Sequence, residues 1–237
     1  MAAEIVPEMP TSDPKHAVRA TRPAGRKMRS LLLDAASRLF RERGLSGASI
    51  ADIAAAADAF PSQITYYFRT KEALFVEAAC RDVLYVARAA EQAALNAHTP
   101  RDYTRALVET VTATDSVAFF AEALTLTRRR QDLAPLVERT IARLHSEGLR
   151  AYAGQIERHG WRSLRDPDAT SRRFWAVAIG IMVEGYAMGR SSDELCAEML
   201  RVLGEQATVA TSDGARLRLV DERDAPASSQ SDSEPSS

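Results

Sequence analysis

The chain has 237 residues, which is enough for one sizeable hydrophobic core or two small ones. Hydrophobic residues make up 46% and charged residues 27%, the balance of a globular protein and not of a disordered or fibrous one. The longest strongly apolar run, 174–183, is about half of a membrane span, and the N-terminus lacks the apolar segment of a signal peptide. Cys80 and Cys196 have no metal-binding spacing and no redox motif, which is typical of a reducing compartment. We therefore expect a cytoplasmic protein without membrane contact, cofactor or bound metal.

The charge is distributed unevenly along the chain. Eleven cations and four acids lie between Lys15 and Lys71, so this stretch carries +7 while the whole chain carries −1. A basic N-terminal quarter beside an acidic remainder is typical of a polyanion-binding module joined to a second domain. A solvated basic arm without a partner would give the same pattern, so the charge alone leaves both interpretations open.

Both ends of the chain have the composition of disordered tails. Residues 1–26 form a basic arm with four prolines and no periodic apolar pattern, and residues 208–237 form an acidic, Ser-rich tail. Neither segment can bury enough apolar surface to offset the entropy lost on ordering. The basic arm is expected to attract a polyanion non-specifically or, alternatively, to enter a DNA minor groove.

The first helices after the arm are short and have clear boundaries. An apolar face from Met28 to Phe40 marks the first helix, which ends at Gly44. Ser49 opens a capping box for a second helix at 50–57. A third helix follows at 62–68.

The remaining chain is predicted to be helical as well. The apolar spacing predicts longer helices at 71–97, 101–113, 116–129, 133–158, 169–189 and 192–204. No strand of convincing length appears, so the predicted fold class is all-α. We expect a three-helix helix-turn-helix domain at 27–72 and a larger helical ligand-binding and dimerisation domain at 73–207.

Two short helices joined by a tight turn and packed on a longer one form a helix-turn-helix unit, which presents the start of its second helix to the DNA major groove. Gln63 can pair with adenine, and the neighbouring hydroxyl groups suit phosphates or base edges. Lys71 begins the next helix, whose backbone amides can hold a phosphate together with its ammonium group. The candidate DNA-binding residues are Ser49, Pro61, Ser62, Gln63, Thr65, Tyr66, Tyr67 and Lys71.

Ile64 and Phe68 are spaced for the core side of the third helix. Tyr66 and Tyr67 are either ordinary packing residues or DNA contacts. In so short a helix both cannot face the core, so we expect at least one to face DNA or solvent.

Three segments carry a family resemblance: Ser49–Ala54, Gln63–Phe68 and Thr70–Phe75, together with Leu33–Ala36 and Gly44 upstream. Over roughly 45 residues they resemble the DNA-binding domain of TetR/AcrR-type transcriptional regulators. The resemblance implies a homodimeric, mostly repressing regulator that binds a double-stranded DNA operator and a small-molecule effector. It also implies a dimer interface formed by the helices at about 169–189 and 192–204. Gly180, Gly185 and Gly189 favour a close helix approach at this interface.

The chain departs from the family pattern at three positions. Asp58 stands in the turn where the family usually has Gly, and Phe60 stands where a small polar cap is usual. Thr65 replaces a Tyr that touches phosphate in many members. We expect Phe60 to pack as a hydrophobic staple before Pro61. The DNA-binding role survives these changes, but no operator sequence follows from them.

The candidate effector-binding residues of the C-terminal domain are Phe119, Phe120, His145, Tyr152, Trp175 and Glu184. Effector pockets are apolar with a few polar anchors, and the aromatic residues among these serve equally well as core. His145 lies on an apolar helix face, where it is either a ligand or a core histidine. Glu184 is either an anchor for a cationic or hydroxylated effector or a partner of Arg172 or Arg190 across the dimer interface.

Other classes of function find less support in the sequence. The histidines lack the context of a catalytic or metal site, and no phosphate-binding loop is present, so an enzyme is not expected. A helical interaction protein with an inactive helix-turn-helix would not need the hydroxyl and amide side chains at 61–67. A co-repressor-dependent regulator or an activator of the same fold stays open. The favoured prediction is a ligand-responsive repressor of transcription in which the fourth helix couples the two domains.

Overall fold

The computed structural model describes residues 23–204 and 207–209. The predicted basic arm up to residue 22 and the predicted tail from residue 210 lie outside the described residues. The elements are α1 (Pro23–Gly47), α2 (Ile50–Ala56), α3 (Pro61–Phe68), α4 (Lys71–Ala94), α5 (Pro100–Thr112), α6 (Ser116–Thr127), a 3-10 turn (Gln131–Leu133), α7 (Ala134–His159), β1 (Trp161–Ser163), α8 (Pro167–Ala187), α9 (Ser192–Leu203) and β2 (Ala207–Val209). The all-α prediction is confirmed.

The structure adds one small β-ribbon to the predicted fold. β1 and β2 pair antiparallel, with Trp161 opposite Val209 and Ser163 opposite Ala207. Three-residue strands are too short to show a period of two, so the sequence did not reveal them. Trp161 is buried in a small cluster with Tyr103 and Tyr152, which fixes the ribbon against the ends of α5 and α7.

The first helix begins at Pro23, earlier than predicted, and its regular part ends at Gly44, as predicted. Residues Pro23–Arg26, assigned from the sequence to the arm, form the first turn of α1, because proline at the first helical position costs no hydrogen bond. Gly44 has φ 69° and ψ 174°, a conformation that glycine adopts without strain. The regular helix therefore ends at Gly44, and the chain turns there towards α2.

A single hydrophobic core runs through both predicted domains, with α4 at its centre. α4 packs against α1 on one side and against α5, α6 and α7 on the others. Phe75 of α4 lies edge-to-face between Phe40 of α1 and Phe119 of α6, with ring centroids 5.1 and 5.0 Å apart. The predicted domain boundary at residue 72 falls in the first turn of α4, so the two domains share a helix and no linker separates them.

The two glycines of α8 differ in their surroundings, and Gly185 has a different role from the predicted one. A side chain at Gly185 would overlap Leu195 of α9, so this glycine permits close packing inside the protomer. Gly180 has no atom within 4 Å of the position a Cβ would take, and it lies on the exposed side of α8. Of these two glycines, only Gly180 is on a surface open to a second chain.

The packing at Gly185 predicts a stability change. Gly185→Ala should lower the free energy of unfolding by about 1–3 kcal/mol, because the added methyl forces Leu195 or the helix backbone to move. Gly154→Ala in α7 is the matched control: it meets nothing within 4 Å and should stabilise by about 0.5–1 kcal/mol. Urea denaturation at equal protein concentration measures both. An unfolding free energy for Gly185→Ala equal to wild type would contradict the packing.

Candidate DNA-binding surface and effector cavity

The start of α2 is fixed by the predicted capping box. The Ser49 hydroxyl oxygen accepts the Asp52 backbone N–H at 3.0 Å and donates to the Asp52 carboxylate at 2.7 Å. The same carboxylate accepts the Ser49 backbone N–H at 3.2 Å. These hydrogen bonds, the side-chain one first, lower the pKa of Asp52. Ser49 is exposed, so the start of α2 is rigid and accessible to a ligand.

The turn between α2 and α3 contains a left-handed residue. Asp58 has φ 49°, which is the conformation that glycine would adopt freely at this position. Phe60 precedes α3 and is 78% exposed, so the expectation that it packs as a hydrophobic staple is wrong. Instead, the Gln63 side-chain oxygen accepts the Phe60 backbone N–H at 3.3 Å and holds the helix start. Gln63 therefore has a structural contact that competes with bidentate pairing to a base.

The two faces of α3 are clearly separated. Ile64 and Phe68 are buried in the core, as predicted. Tyr66 and Tyr67 are half-buried and pack edge-to-face at 5.0 Å, and Tyr67 also contacts the core. The fully exposed edge of the helix carries Pro61, Ser62 and Thr65, and Arg69 extends it at the C-terminus. We call these four residues the recognition edge.

Arg69 is a candidate functional residue that the sequence reasoning missed. It is exposed and directly follows the last residue of α3, and a basic residue at this end of the helix was the available signal. Its backbone has φ 68° and ψ −50°, and the Thr70 N–H donates to the Phe68 carbonyl at 2.8 Å across it. This tight three-residue turn is strained for any residue with a side chain. It directs the chain from the recognition edge straight into α4.

Lys71 connects the start of α4 to the segment before α2. Its ammonium donates to the Ala48 carbonyl at 3.1 Å, while Thr70 caps α4 by accepting the Ala73 N–H. An ammonium group has three donors, so this contact leaves two for a phosphate. Lys71 thus joins the helix-turn-helix to α4 and also lies where a phosphate would meet the α4 N-terminus.

Polar contacts tie the helix-turn-helix to the rest of the chain. Three of them join α1 to α4: Arg29–Glu77, Asp34–Arg81 and Ser37–Asp82. Arg41 of α1 binds Asp115 before α6 at 2.8 Å, and Arg130 binds Glu72 of α4 at 3.3 Å. α1 is therefore held by α4 and by the loop before α6, while the loop after α6 holds the start of α4.

An apolar cavity lies between α4, α5, α7 and α8. Tyr152 and Trp175, two of the predicted effector-binding residues, line it together with Tyr103 and Phe174. Ala87, Ala90 and Glu91 contribute the wall on the α4 side. The cavity is narrow, with about 60 Å³ open to the centre of a water molecule. It is the type of space that takes a small, mostly apolar ligand.

The other four predicted effector-binding residues lie elsewhere. Phe119 belongs to the aromatic contact with Phe75, and Phe120 is fully buried in the core. His145 lies behind the cavity wall, where its ring nitrogen is 3.3 Å from an Arg172 guanidinium nitrogen. Burial first, and then Arg172, lower the pKa of His145, so the structure favours the neutral imidazole.

Glu184 is exposed on the outer side of α8. The two arginines considered as its partners form ion pairs within the chain instead, Arg172 with Asp168 at 2.6 Å and Arg190 with Glu198 at 2.9 Å. Glu184 therefore does not meet the cavity within this protomer, and its predicted contact with a second protomer stays a prediction.

Exposed apolar side chains lie on the outer sides of α8 and α9. Val183, Tyr186, Met188 and Val202 are all more than a third exposed. Val183 and Tyr186 border a groove beside α6, while Val202 lies near the start of α8, where its carbonyl accepts from Arg173. Exposed apolar residues on two helices that pack together are candidates for a protein–protein contact. We call these four residues the outer apolar face.

Residues 23–204 include no helix that is both long and apolar enough to cross a membrane. In the same described part of the chain, no three His, Cys, Asp or Glu side chains are grouped to hold a metal ion.

Comparison with known proteins identifies the family. Residues 32–78 match the family described as bacterial regulatory proteins, tetR family, and residues 100–204 match the family described as bacterial transcriptional repressor C-terminal. A proposed transcriptional regulator from Rhodococcus sp. RHA1 is 38% identical, covers 74% of this chain and 95% of its own, and superimposes with a TM-score of 0.67. No curated protein matches the chain significantly.

More distant structures share the fold. The fatty acid degradation regulator FadR from Bacillus halodurans is 15% identical with a TM-score of 0.58, over 74% of this chain and 94% of its own. A proposed regulator from Saccharomonospora viridis, in complex with choline, is 19% identical with a TM-score of 0.61, over 77% of this chain and 98% of its own. The chain belongs to the TetR family of bacterial transcriptional regulators. Because this family consists of regulators, the prediction that the chain is not an enzyme is confirmed.

The strained turn at Arg69 predicts a gain in stability on substitution. Arg69→Gly should raise the free energy of unfolding by about 1 kcal/mol, because the strain relieved exceeds the entropy that glycine adds to the unfolded chain. Arg69→Ala is the matched control, since it removes the guanidinium but keeps the Cβ and the strain. Urea denaturation separates the two. Equal stabilities of the two variants would show that the turn stores no strain.

Proposed function

We propose that the protein is a cytoplasmic, ligand-responsive transcriptional repressor. It binds a palindromic operator as a homodimer through α2 and α3, and a small-molecule effector in the cavity releases the DNA. The observation that carries this proposal is the course of α4. One end of this unbroken helix fixes the helix-turn-helix through Lys71, and Ala87, Ala90 and Glu91 near its other end line the cavity.

The recognition edge supplies the contacts to DNA in this proposal. Ser62 and Thr65 are exposed hydroxyl residues on the helix that enters the major groove, where they contact base edges or phosphates. Arg69 contacts a backbone phosphate at the far end of the same edge. Gln63 contributes its amide nitrogen, because its oxygen holds the start of α3.

The remaining predicted residues bind phosphates or support this surface. Ser49 and Lys71 lie at the starts of α2 and α4, where backbone N–H groups favour an anion. Pro61 sets the first turn of α3. Tyr67 packs against the core and Tyr66 packs edge-to-face on Tyr67, so the pair helps to fix α3.

The outer apolar face provides the dimer contact. Two copies joined through α8 and α9 would present two copies of α3 to successive major grooves, which are about 34 Å apart on one side of the duplex. A ligand that changes the tilt of α4 would change this separation. Since grooves have fixed spacing, a shift of a few ångströms would weaken operator binding in both half-sites at once.

Selection of binding sites from random duplex DNA at near-physiological salt tests the DNA-binding proposal. We expect enrichment of a palindrome, and we expect Ser62→Ala with Thr65→Ala to lower affinity for it about tenfold or more, since each base contact contributes about 1–3 kcal/mol. The matched control is Thr125→Ala with Ser146→Ala, which removes exposed hydroxyls far from the recognition edge and should leave affinity unchanged. Enrichment only when a metabolite extract is added would indicate a co-repressor. No enrichment in either condition would refute sequence-specific binding.

The dimer proposal predicts a change in molecular mass. Val183→Glu should convert the dimer to a monomer and weaken operator binding, because it places a charge inside the outer apolar face. Leu164→Glu is the control, since Leu164 is about as exposed as Val183 but lies outside that face. Light scattering coupled to gel filtration measures both. A dimeric Val183→Glu variant would place the interface elsewhere.

A further inference from the structure

The cavity wall carries negative charge and no positive charge. Of the fourteen described residues that line it, only Glu91 carries a charged side chain. Four aromatic residues form much of the remaining wall: Tyr103, Tyr152, Phe174 and Trp175. Tyr103 and Tyr152 are stacked with centroids 6.1 Å apart, and Phe174 meets Trp175 edge-to-face at 5.4 Å. A ligand in this space would meet aromatic rings and one carboxylate.

Three hydroxyl donors of the wall are already used by the protein. Thr104 donates to the Pro100 carbonyl, Ser171 to the His145 carbonyl and Thr170 to the Asp166 carbonyl, each at 3.0 Å. A hydroxyl group has a single proton to donate, so these three cannot also bind an anionic ligand without losing a backbone contact. An anionic headgroup would therefore find no cation in the wall, and its donors would be limited to the hydroxyls of Tyr103 and Tyr152 and the indole N–H of Trp175.

Glu91 is partly removed from water without gaining an ion partner. Within residues 23–204, no lysine or arginine nitrogen lies within ion-pair distance of its carboxylate, although Arg88 and Arg150 act on it from further away. Burial first, and then the nearby Glu147 carboxylate, raise the pKa of Glu91. Glu147 itself is paired with Arg143 at 2.8 Å. A positive charge in the cavity would restore the interaction that Glu91 has lost.

We infer that the effector is a small hydrophobic cation, an ammonium or protonated amine with a compact apolar body. The Glu91 carboxylate pairs with the positive charge, and the aromatic rings of Tyr103, Tyr152, Phe174 and Trp175 surround the apolar groups next to it. This inference rests on the proposed function, since it specifies the ligand of the same cavity.

The nearest arginine cluster lies outside the cavity wall. Arg101, Arg105 and Arg201 line a separate, wider groove that shares Thr104 with the cavity. An anionic effector would select this groove and not the aromatic wall. The two alternatives therefore differ in the charge of the ligand and in the residues that bind it.

Three probes of similar size separate these alternatives: benzyltrimethylammonium, its uncharged isostere neopentylbenzene, and the anion phenylacetate. Binding is followed by calorimetry and by the fluorescence of Trp175, which lies in the wall. We expect the cation to bind about tenfold or more tightly than the isostere, as an ion pair and ring contacts add to the same apolar burial. Glu91→Gln should reduce this preference severalfold to the part that the ring contacts supply, and it should leave the affinity for neopentylbenzene unchanged, which also shows that the variant is folded. Glu138→Gln, an exposed position on α7, should behave as wild type.

Equal binding of the cation and its isostere would overturn the inference and leave the cavity as an uncharged effector site. A cation preference that Glu91→Gln leaves undiminished would overturn it as well. A preference for phenylacetate that is lost in Arg105→Gln would overturn it in favour of the arginine-lined groove. Failure of all three probes to bind would overturn it as well. Operator binding measured without any probe tests the proposed function separately. A failure of the cation inference can therefore be distinguished from a failure of the DNA-binding proposal.

Discussion

The structure depends on α4 lying at the centre of one core that both domains share. Phe75 of this helix lies between Phe40 of the DNA-binding helices and Phe119 of the larger domain, and all three rings are buried. Closely packed interiors deform little, so a displacement at one end of such a helix moves its other neighbours as well. Because α4 is long, such a displacement can connect distant sites. Lys71 and Glu91 are separated by roughly 30 Å along the helix axis.

Two polar contacts extend this constraint beyond the hydrophobic core. Arg41–Asp115 holds α1 against the loop before α6, and Arg130–Glu72 holds the start of α4 against the loop after it. Both pairs are partly exposed, and surface pairs of this kind contribute about 1 kcal/mol or less. They are therefore weak enough to rearrange when α4 moves, while the aromatic contact at Phe75 keeps the two parts joined.

Local signals in the sequence were sufficient for the DNA-binding part. The capping box at Ser49, the helix end at Gly44 and the buried positions Ile64 and Phe68 follow from the spacing of neighbouring residues, which is what a sequence displays directly. Phe60 was misjudged because an apolar residue before a helix packs only where the core offers space, and here Gln63 holds the helix start instead.

Contacts between distant residues could not be predicted in the same way. Lys71 reaches the carbonyl of Ala48, which lies 23 positions earlier, and nothing in either segment indicates this pairing. Gly185 was assigned to the dimer interface from its spacing, whereas it packs against Leu195 within the chain. Glu91 lies in an ordinary polar and alanine-rich stretch, and only the fold shows that it faces an aromatic cavity.

If α4 couples the DNA-binding surface to the cavity, each site must respond when the other is occupied, because coupling between two sites is reciprocal. Hydrogen exchange of the protein with and without its selected operator measures this response. Operator binding should alter exchange at 86–94 as well as at 49–71, although the former lie roughly 30 Å from the start of α4. A change confined to 49–71 would show that the two ends of the helix act independently and that α4 does not couple them.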